Sequence, residues 1–307
     1  MGGCGRGRSA ARGQARLITR RGVLRAGAGL IGAGVATSAY AVALEPGFRL
    51  VVQEHAVALP GWGARPPLTI CITTDVHAGE PWMPLHRVQR IVDAANALQP
   101  DLHVMLGDLP AHHRFVTRAV PMPGVAAALG GLRAPLGAYA ILGNHDWWDD
   151  PATASRRGQP VIGQLLRDAG LVVLANGGVR LPHGDGVWLL GTESTLAYGY
   201  RGPGADNLPA ALRVLADDAP AILLAHEPDL FPRVPARVGL VLSGHTHGGQ
   251  VRVLGRSPVV PSRYGNRYAW GLVQEAGHAL VVSGGLGCSI APVRLGVPPE
   301  LTVVRVG

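Results

Sequence analysis

Short apolar runs alternate with amphipathic stretches through most of the chain, from about Glu45 to the last residue. The apolar runs have the length of buried strands, and in the amphipathic stretches apolar residues recur with the spacing of one helix face. Strand-like runs dominate from Ala221 onward. The predicted strands are 68–73, 102–106, 138–142, 221–225, 240–243, 250–254, 279–283 and 301–306, and the predicted helices are 84–98, 161–169 and 208–216. This pattern predicts an α/β sandwich with a mixed sheet and leaves the number of sheets open.

Polar residues that can bind metals stand directly after five of the predicted strands. Asp, His and Asn are poor strand residues, so their position at the strand ends needs a reason. The carboxyl ends of strands are also where open α/β sheets place their chemistry. The five clusters are Asp75-Val76-His77, Gly107-Asp108, Gly143-Asn144-His145-Asp146, His226 and Gly244-His245-Thr246-His247. We interpret them as a hydrolytic site that holds two metal ions.

The donor atoms of these clusters narrow the chemistry. A set of Asp, His and Asn without a thiolate suits divalent Mn, Fe, Zn or Ni and does not choose among them. Two ions about 3.5–4 Å apart can clamp a phosphoryl group and activate water, provided that one carboxylate bridges them. One further His could donate a proton to the leaving group. The clusters supply enough side chains for all of these functions.

Positive charge is concentrated at the N-terminus. All 28 basic residues are Arg, and seven of them lie in residues 1–44, which contain no acid. The other 21 Arg stand against all 20 acidic residues, so residues 45–307 are nearly neutral. A nucleic-acid partner is therefore not expected, because its binding needs clustered positive charge in the folded domain.

Residues 1–44 have the features of an export signal, and residues 45–307 form the predicted catalytic domain. Arg20-Arg21 precede a weakly apolar stretch and resemble a twin-arginine signal, with cleavage candidates at 39–41 and 41–43. The alternative is a retained membrane anchor, which such a segment is just long enough to form. Both interpretations place the catalytic domain outside the cytoplasm, in the periplasm, in the cell envelope or at the outer face of the cytoplasmic membrane. The export machinery is then a partner of the chain.

The ordered set of five clusters resembles the calcineurin-like metallophosphoesterase superfamily across residues 46–307. The strings 143–146 and 244–250 are the most specific part of this resemblance. It implies a four-layer αββα sandwich, in which two mixed β-sheets lie face to face with helices outside. It also implies a metal-dependent phosphoric ester hydrolase in which a hydroxide that bridges the two metals attacks phosphorus. No protein nucleophile is implied.

The resemblance also implies a role for each site residue. Asp75, His77 and His247 would bind the first metal, and Asn144, His226 and His245 the second. Asp108 would bridge the two ions. His145 would be the catalytic acid, and Asp146 would orient His145 by a hydrogen bond.

Segments 225–231 and 283–288 resemble an exported branch of the superfamily that is related to UDP-diacylglucosamine pyrophosphatases. This branch implies a phosphodiester or pyrophosphate substrate of the cell envelope or of phospholipid type, and an association with the membrane. The alternatives are a non-catalytic metal-binding scaffold of the same fold, a nuclease or phosphomonoesterase, and an anchored structural protein of the envelope. The complete ligand set disfavours a scaffold.

Two aromatic or basic segments near the clusters have two interpretations each. Trp147 and Trp148 could form an apolar shelf for a substrate or could pack over the metal site. The loop that contains Arg263 and Arg267 could bind phosphate or could be an ordinary surface loop.

Overall fold

The computed structural model describes residues 1–2, 19–150 and 158–307, which form two compact units, 1–39 and 40–307. The first unit contains helix α1 (Arg20–Ala39). Among the described residues, one helical stretch, Val23–Phe48, is long and apolar enough by length and composition to cross a membrane. Residues 3–18 of the predicted signal lie outside the described residues, and the domain boundary at 44/45 stays a prediction.

The second unit contains two mixed sheets of six strands each. In the first sheet, four parallel strands in the order β2-β4-β6-β7 are extended by β14, antiparallel to β2, and by β1, parallel to β14. These strands are β1 (Val51–Val57), β2 (Leu68–Thr73), β4 (Leu102–Met105), β6 (Ala138–Ala140), β7 (Val172–Val173) and β14 (Glu300–Val306).

The second sheet has the order β12-β13-β11-β10-β9-β8, with four parallel strands between two antiparallel edge strands. A separate two-stranded ribbon pairs β3 with β5. The bounds are β3 (Gly79–Glu80), β5 (Arg118–Ala119), β8 (Gly177–Leu181), β9 (Val187–Gly191), β10 (Ala221–Leu224), β11 (Leu240–Ser243), β12 (Gly271–Glu275) and β13 (His278–Val282).

Helices cover the outer faces of the two sheets. A π-helical turn, Tyr40–Leu44, and the short helix α2 (Glu45–Phe48) follow α1 in the chain. The other α-helices are α3 (Leu85–Ala97), α4 (Met122–Leu129), α5 (Asn144–Trp148), α6 (Val161–Asp168) and α7 (Leu208–Leu212). Turns of 3₁₀-helix occupy Pro228–Arg233, His247–Gly249 and Gly265–Tyr268.

Alternating side chains of the central strands build separate hydrophobic layers. In β2, Ile70 and Ile72 point into the layer between the sheets, where they join Ile222 and Leu242 of the second sheet. Cys71 points the other way, into the layer beneath the helices. Because each central strand is buried on both faces, its sequence is a continuous apolar run. The predicted α/β fold with two mixed sheets flanked by helices is confirmed.

Two of the predicted elements are wrong in detail. The stretch 250–254 is not a strand: only isolated bridges form there, from Val251 to Leu295 and from Val253 to Arg256. A tight turn with Leu254 in the left-handed region interrupts the apolar pattern. The predicted helix 208–216 is shorter in the structure. Asn207 caps its first turn, but the helix ends at Leu212 and Arg213 is its C-cap.

Candidate metal centre

All seven predicted metal ligands come together where the strands of both sheets end. Asp75 and His77 follow β2, Asp108 follows β4, and Asn144 begins α5 after β6. The second sheet contributes His226 after β10, and His245 and His247 after β11. The relative exposure of every one of these seven side chains is 6% or less. The site is therefore a buried junction between the two sheets.

Three of the ligands form one group around facing imidazoles. Nε2 of His77 lies 3.1 Å from Nε2 of His247, and Nε2 of His247 lies 3.2 Å from Oδ1 of Asp75. Nδ1 of His77 is 2.9 Å from the carbonyl oxygen of Pro110, so Nδ1–H donates to that oxygen and Nε2 keeps its lone pair. A cation next to Nε2 of His77 would take up that lone pair.

Asp108 lies between this group and a second group that contains His226 and His245. Its Oδ2 atom is 3.6 Å from Nε2 of His77 and 3.3 Å from Nε2 of His226. The Nδ1–H of His226 donates to the carbonyl oxygen of Leu106 (2.6 Å), which again directs Nε2 into the site. The ligand atoms of Asp108, His226 and His245 lie within 4.8 Å of one another.

The buried donor atoms fit divalent ions. Asn144 Oδ1 and His245 Nε2 are buried and have no hydrogen-bond partner among the described residues. Leaving buried polar atoms unpaired costs about 1–3 kcal/mol each, so such atoms need an explanation. Oxygen and imidazole nitrogen donors without thiolates match borderline or hard divalent metals.

Burial and the two carboxylates shift the pKa values of the cluster in opposite directions. Burial lowers the pKa of His77 to about 3, although Asp108 opposes this shift. Burial also acts to lower the pKa of His226, but Asp108, Asp75 and Glu227 together outweigh it and raise that pKa well above its ordinary value. Burial acts to raise the pKa of Asp108, but His226, His145 and His77 together outweigh it, so that pKa is lowered. Positive charge on His226 thus compensates Asp108, and a divalent ion would supply that charge instead.

Backbone strain coincides with the ligand positions. Five of the seven predicted ligands have a positive φ, a conformation that costs a residue other than Gly roughly 1–3 kcal/mol. This left-handed turn directly after a strand points each side chain back toward the junction. These residues are Asp75 (53°), His77 (43°), Asp108 (60°), His245 (68°) and His247 (51°).

The glycines that precede two ligand clusters are required by close packing against carboxylates. A Cβ atom on Gly143 would overlap Oδ1 of Asp108, and a Cβ on Gly244 would overlap Oδ2 of Asp75. Both glycines have ordinary negative φ angles, so the reason for them is space. The two glycines let the neighbouring strands approach closely enough for the ligands to meet.

His145 lies beside the cluster, and the carboxylate that faces its ring is Asp149. Nδ1 of His145 is 3.7 Å from Oδ2 of Asp149, and Nε2 is 3.3 Å from Oγ of Ser289. Burial acts to lower the pKa of His145, but Asp108 and Asp149 outweigh it, so the pKa is raised. The ligand atoms of His77, Asp108 and His145 lie within 4.8 Å of one another.

The predicted hydrogen bond from Asp146 to His145 is wrong. Both oxygens of Asp146 accept backbone N–H groups instead: Oδ2 from Asp108 and Gly143, each at 2.8 Å, and Oδ1 from Leu109 at 2.9 Å. Asp146 therefore ties the loop after β4 to the start of α5. Burial, with the Asp108 charge, raises its pKa to about 7 despite these bonds.

Sequence reasoning missed Asp149, Ser289 and Arg294. The spacing of His145 and Asp149, four residues apart on one helix, was a usable signal for the first. Arg294 is fully buried and donates to the carbonyl oxygens of Gly284, Gly287 and Val297, and its Nη2 lies 3.1 Å from Nδ1 of His247. It fixes the loop beneath His247, but nothing in the pattern around it distinguishes it from a surface Arg.

Two cavities adjoin the cluster, and both reach His245 and Tyr200. The first, about 280 Å³, runs past His145 and has largely apolar walls, formed by Val251, Val259, Ile290, Ala291 and Val293. The second, about 250 Å³, is lined by more polar residues that include Thr195, Glu227, Asp229, Ser262 and Arg263.

The structure gives different surroundings to the two tryptophans, Trp147 and Trp148, and to the two arginines of the basic loop, Arg263 and Arg267. Trp147 is buried in the layer beneath the helices, whereas Trp148 is half-buried against His145 and Tyr200, with ring centroids 5.1 and 5.2 Å apart. In the basic loop, Arg263 pairs with Asp229 at 3.3 Å, and Arg267 pairs with Glu275 at 2.7 Å. Arg263 alone of these two arginines borders a cavity of the site.

The sequence pattern described as calcineurin-like phosphoesterase matches residues 68–249, a range that contains every predicted site residue. The chain belongs to this family. It is therefore a metal-dependent phosphoester hydrolase, and the predicted membership of the superfamily is confirmed. The exported branch within the superfamily stays a prediction.

Several proteins of similar sequence are named as metallophosphoesterases or as a phosphodiesterase. It is 29% identical to the metallophosphoesterase YkuE of Bacillus subtilis, over 93% of this chain and 96% of the relative. It is 27% identical to the phosphodiesterase YaeI of Escherichia coli, over 94% and 99% respectively. It is 33% identical to the bovine (Bos taurus) transmembrane protein with metallophosphoesterase domain, over 76% of this chain but only about half (52%) of that protein.

The close packing at Gly143 generates a prediction about metal binding. Gly143→Ala should displace the Asp108 carboxylate and weaken metal affinity by about tenfold or more, because ligand placement limits affinity. Metal titration of the purified chain measures this effect. Gly177→Ala, where an added Cβ meets only one atom at 3.8 Å, is the matched control and should bind metal like the wild type. Equal affinities in both variants would contradict the packing explanation.

Proposed function

We propose that this phosphoesterase is a two-metal phosphodiesterase that hydrolyses a phosphodiester or pyrophosphate bond in an amphiphilic, lipid-type substrate of the cell envelope. The observation that carries the proposal is that an apolar cavity and a more polar cavity both border His245 of the metal cluster. The family membership supports the reaction class, and the relative named a phosphodiesterase supports the diester.

In this proposal the ligands divide between two ions. Asp75, His77 and His247, whose ligand atoms lie together, would hold one ion. His226 and His245, whose ligand atoms lie together with that of Asp108, would hold the other ion with Asn144. Asp108 would be shared, since its Oδ2 faces imidazoles of both groups. The ions, from among Mn, Fe, Zn and Ni, would supply positive charge that polarises the phosphoryl group and activates water.

The protein side chains around the ions have separate tasks in this proposal. His145 borders the apolar cavity next to Asp108 and is placed to donate a proton to the leaving oxygen. The Asp149 carboxylate lies 3.7 Å from Nδ1 of His145, and the Trp148 ring packs against the imidazole. Asp146 keeps Asp108 in place through the backbone and does not touch the reacting group. Burial of the ligands keeps bulk water away and strengthens every charge interaction inside the site.

The two cavities favour a substrate with two substituents on phosphorus. A phosphomonoester has one substituent and would leave one cavity without a ligand group. The apolar walls of the cavity beside His145 suit a hydrocarbon chain, whereas Arg263 and Ser262 in the other suit a polar head. A lipid-type phosphodiester or pyrophosphate has both kinds of group.

Location is the remaining part of the proposal. Arg20-Arg21 at the start of α1 support export through the twin-arginine machinery, which places the catalytic unit in the periplasm or at the outer face of the cytoplasmic membrane. The bovine relative is named as a transmembrane protein, which supports a membrane association here. A substrate in the envelope would then be within reach.

Hydrolysis of model substrates tests the proposed reaction. The full chain in detergent is stripped of metal with a chelator and given Mn, Fe, Zn or Ni in turn. We expect restored hydrolysis of bis-p-nitrophenyl phosphate, faster than that of p-nitrophenyl phosphate. A faster monoester reaction, or turnover that persists after metal removal, would contradict the proposal.

Two substitutions separate the proposed roles of Asp108 and His145. Asp108→Ala should lose bound metal, because it removes the shared ligand. His145→Ala should keep its metal while the diester rate falls about 10²–10⁴-fold, as expected for loss of a general acid. Metal content and rate are measured on the same samples, with His86→Ala on the exposed face of α3 as control. Equal metal loss in both site variants would refute the division of roles.

The apolar cavity generates a prediction about chain length. In a series of p-nitrophenyl alkyl phosphates, butyl should give a KM roughly 10–60-fold lower than methyl, since each buried CH₂ contributes about 0.8 kcal/mol. Ala291→Phe should narrow the cavity and reduce this ratio. KM values that do not change along the series would rule out a hydrocarbon chain in this cavity, while turnover itself would still support the phosphodiesterase.

A further inference from the structure

The segment that follows α1 is built into the catalytic unit. Residues 40–48 continue as a π-helical turn and the short helix α2. Ala41, Glu45 and Pro46 are buried there, with relative exposures of 5% for Ala41 and 1% for Glu45. Of these three, Ala41 belongs to the segment that cleavage at either predicted site would remove, and a leader that is removed on export has no reason to contribute a buried residue to the mature domain.

Backbone oxygens of this segment are bound by three residues of the catalytic unit, here called the clamp: Trp82, Arg87 and Arg294. The indole N–H of Trp82 donates to the carbonyl oxygen of Val42 (2.8 Å), and the backbone N–H of Arg294 donates to that of Ala41 (2.9 Å). The guanidinium of Arg87 donates to the carbonyl oxygen of Pro46 and to that of Arg49 (3.2 Å).

Arg87 is the centre of the clamp. It is 6% exposed, and a guanidinium buried to that degree needs partners for its donors. Besides Pro46 and Arg49, it donates to the carbonyl oxygen of Trp82 at 2.7 Å. Pro46 and Arg49 both follow the two predicted cleavage sites in the chain, so Arg87 holds the segment that comes directly after those sites.

The clamp also covers the two predicted cleavage sites. Both small-x-small candidates, 39–41 and 41–43, include Ala41, which is buried and whose carbonyl oxygen is bound to Arg294. A signal peptidase needs an accessible, extended chain, but these residues lie at the end of α1 and in the π-helical turn. In the folded chain, neither predicted cleavage site is accessible to a protease in an extended conformation.

The helix before the clamp has the surface of a membrane span. Apolar side chains on several sides of α1 are exposed, including Leu24 (73%), Leu30 (74%) and Ile31 (72%). Residues 26–44 contain no charged side chain, and a helix of that length spans about 30 Å, the thickness of the hydrocarbon core. Phe48, which follows the uncharged stretch in the chain, is 81% exposed, and aromatic residues are common at membrane interfaces.

We infer that α1 is not removed but stays as the membrane anchor of the catalytic unit, and that the partner of its exposed apolar surface is a lipid bilayer. The clamp joins the anchor to the first sheet and its helices through the chain segment 40–49. The catalytic site is then held at the membrane surface, whichever substrate it hydrolyses.

Intact mass and membrane extraction test the inference on the full chain with a C-terminal tag in a bacterial host. We expect the purified protein to retain residues 20–48 and to remain in the membrane pellet after an alkaline carbonate wash, with release by detergent. An N-terminus between residues 40 and 45 would overturn the inference. So would a full-length protein that washes off the membrane, which would indicate that α1 is covered by protein instead of lipid.

Trypsin cleavage after Arg49 tests the clamp in the same detergent-solubilised protein. Arg87→Ala should accelerate appearance of the fragment that begins at Leu50 by about tenfold or more, because local opening exposes the bond. Arg90→Ala, an exposed Arg on the same helix, is the matched control and should cleave like the wild type. Trp82→Phe removes one bond of the clamp without a cavity, so it tests the same point if Arg87→Ala does not fold. Wild-type cleavage in both clamp variants would show that the segment is not held.

Discussion

The carboxylate of Asp108 is the feature on which the rest of the site depends. It is 1% exposed, lies between imidazoles of two ligand groups and accepts the backbone N–H of His145 at 2.8 Å. A buried carboxylate without nearby positive charge is costly, so the surrounding groups must supply that charge. His226 can do so as a cation, and divalent ions do so more completely. In this chain, the need of the buried carboxylate for positive charge gives a physical reason for metal binding.

Both sheets supply side chains that surround the Asp108 carboxylate. Parallel strands of the first sheet deliver Asp75, His77, Asp108 and Asn144 from one side, and those of the second deliver His226, His245 and His247 from the other. Left-handed turns, packed glycines and the backbone bonds of Asp146 then set the ligand positions to within a few ångströms. The left-handed turns have a local cost in free energy, and burial of the three hydrophobic clusters of the domain offsets it.

The sequence predicted those parts of the molecule that depend on local pattern. Continuous apolar runs such as 68–73 mark strands buried on both faces, and the clusters that follow them mark the ligands. The stretch 250–254 has a similar apolar character but lies in a turn, because tertiary contacts override propensity there. Asp146 and Asp149 both follow His145 closely, and only the three-dimensional path of α5 decides which one faces its ring. The buried role of Arg294 depends on loop carbonyls that are distant from any motif.

The central claim is that these seven side chains hold two ions with Asp108 shared between them. Anomalous diffraction from crystals of the full chain grown with Mn tests it most directly. The account predicts two peaks, one among Asp75, His77 and His247 and one among Asn144, His226 and His245, both adjacent to Asp108. A single peak at full occupancy, or peaks away from Asp108, would contradict it.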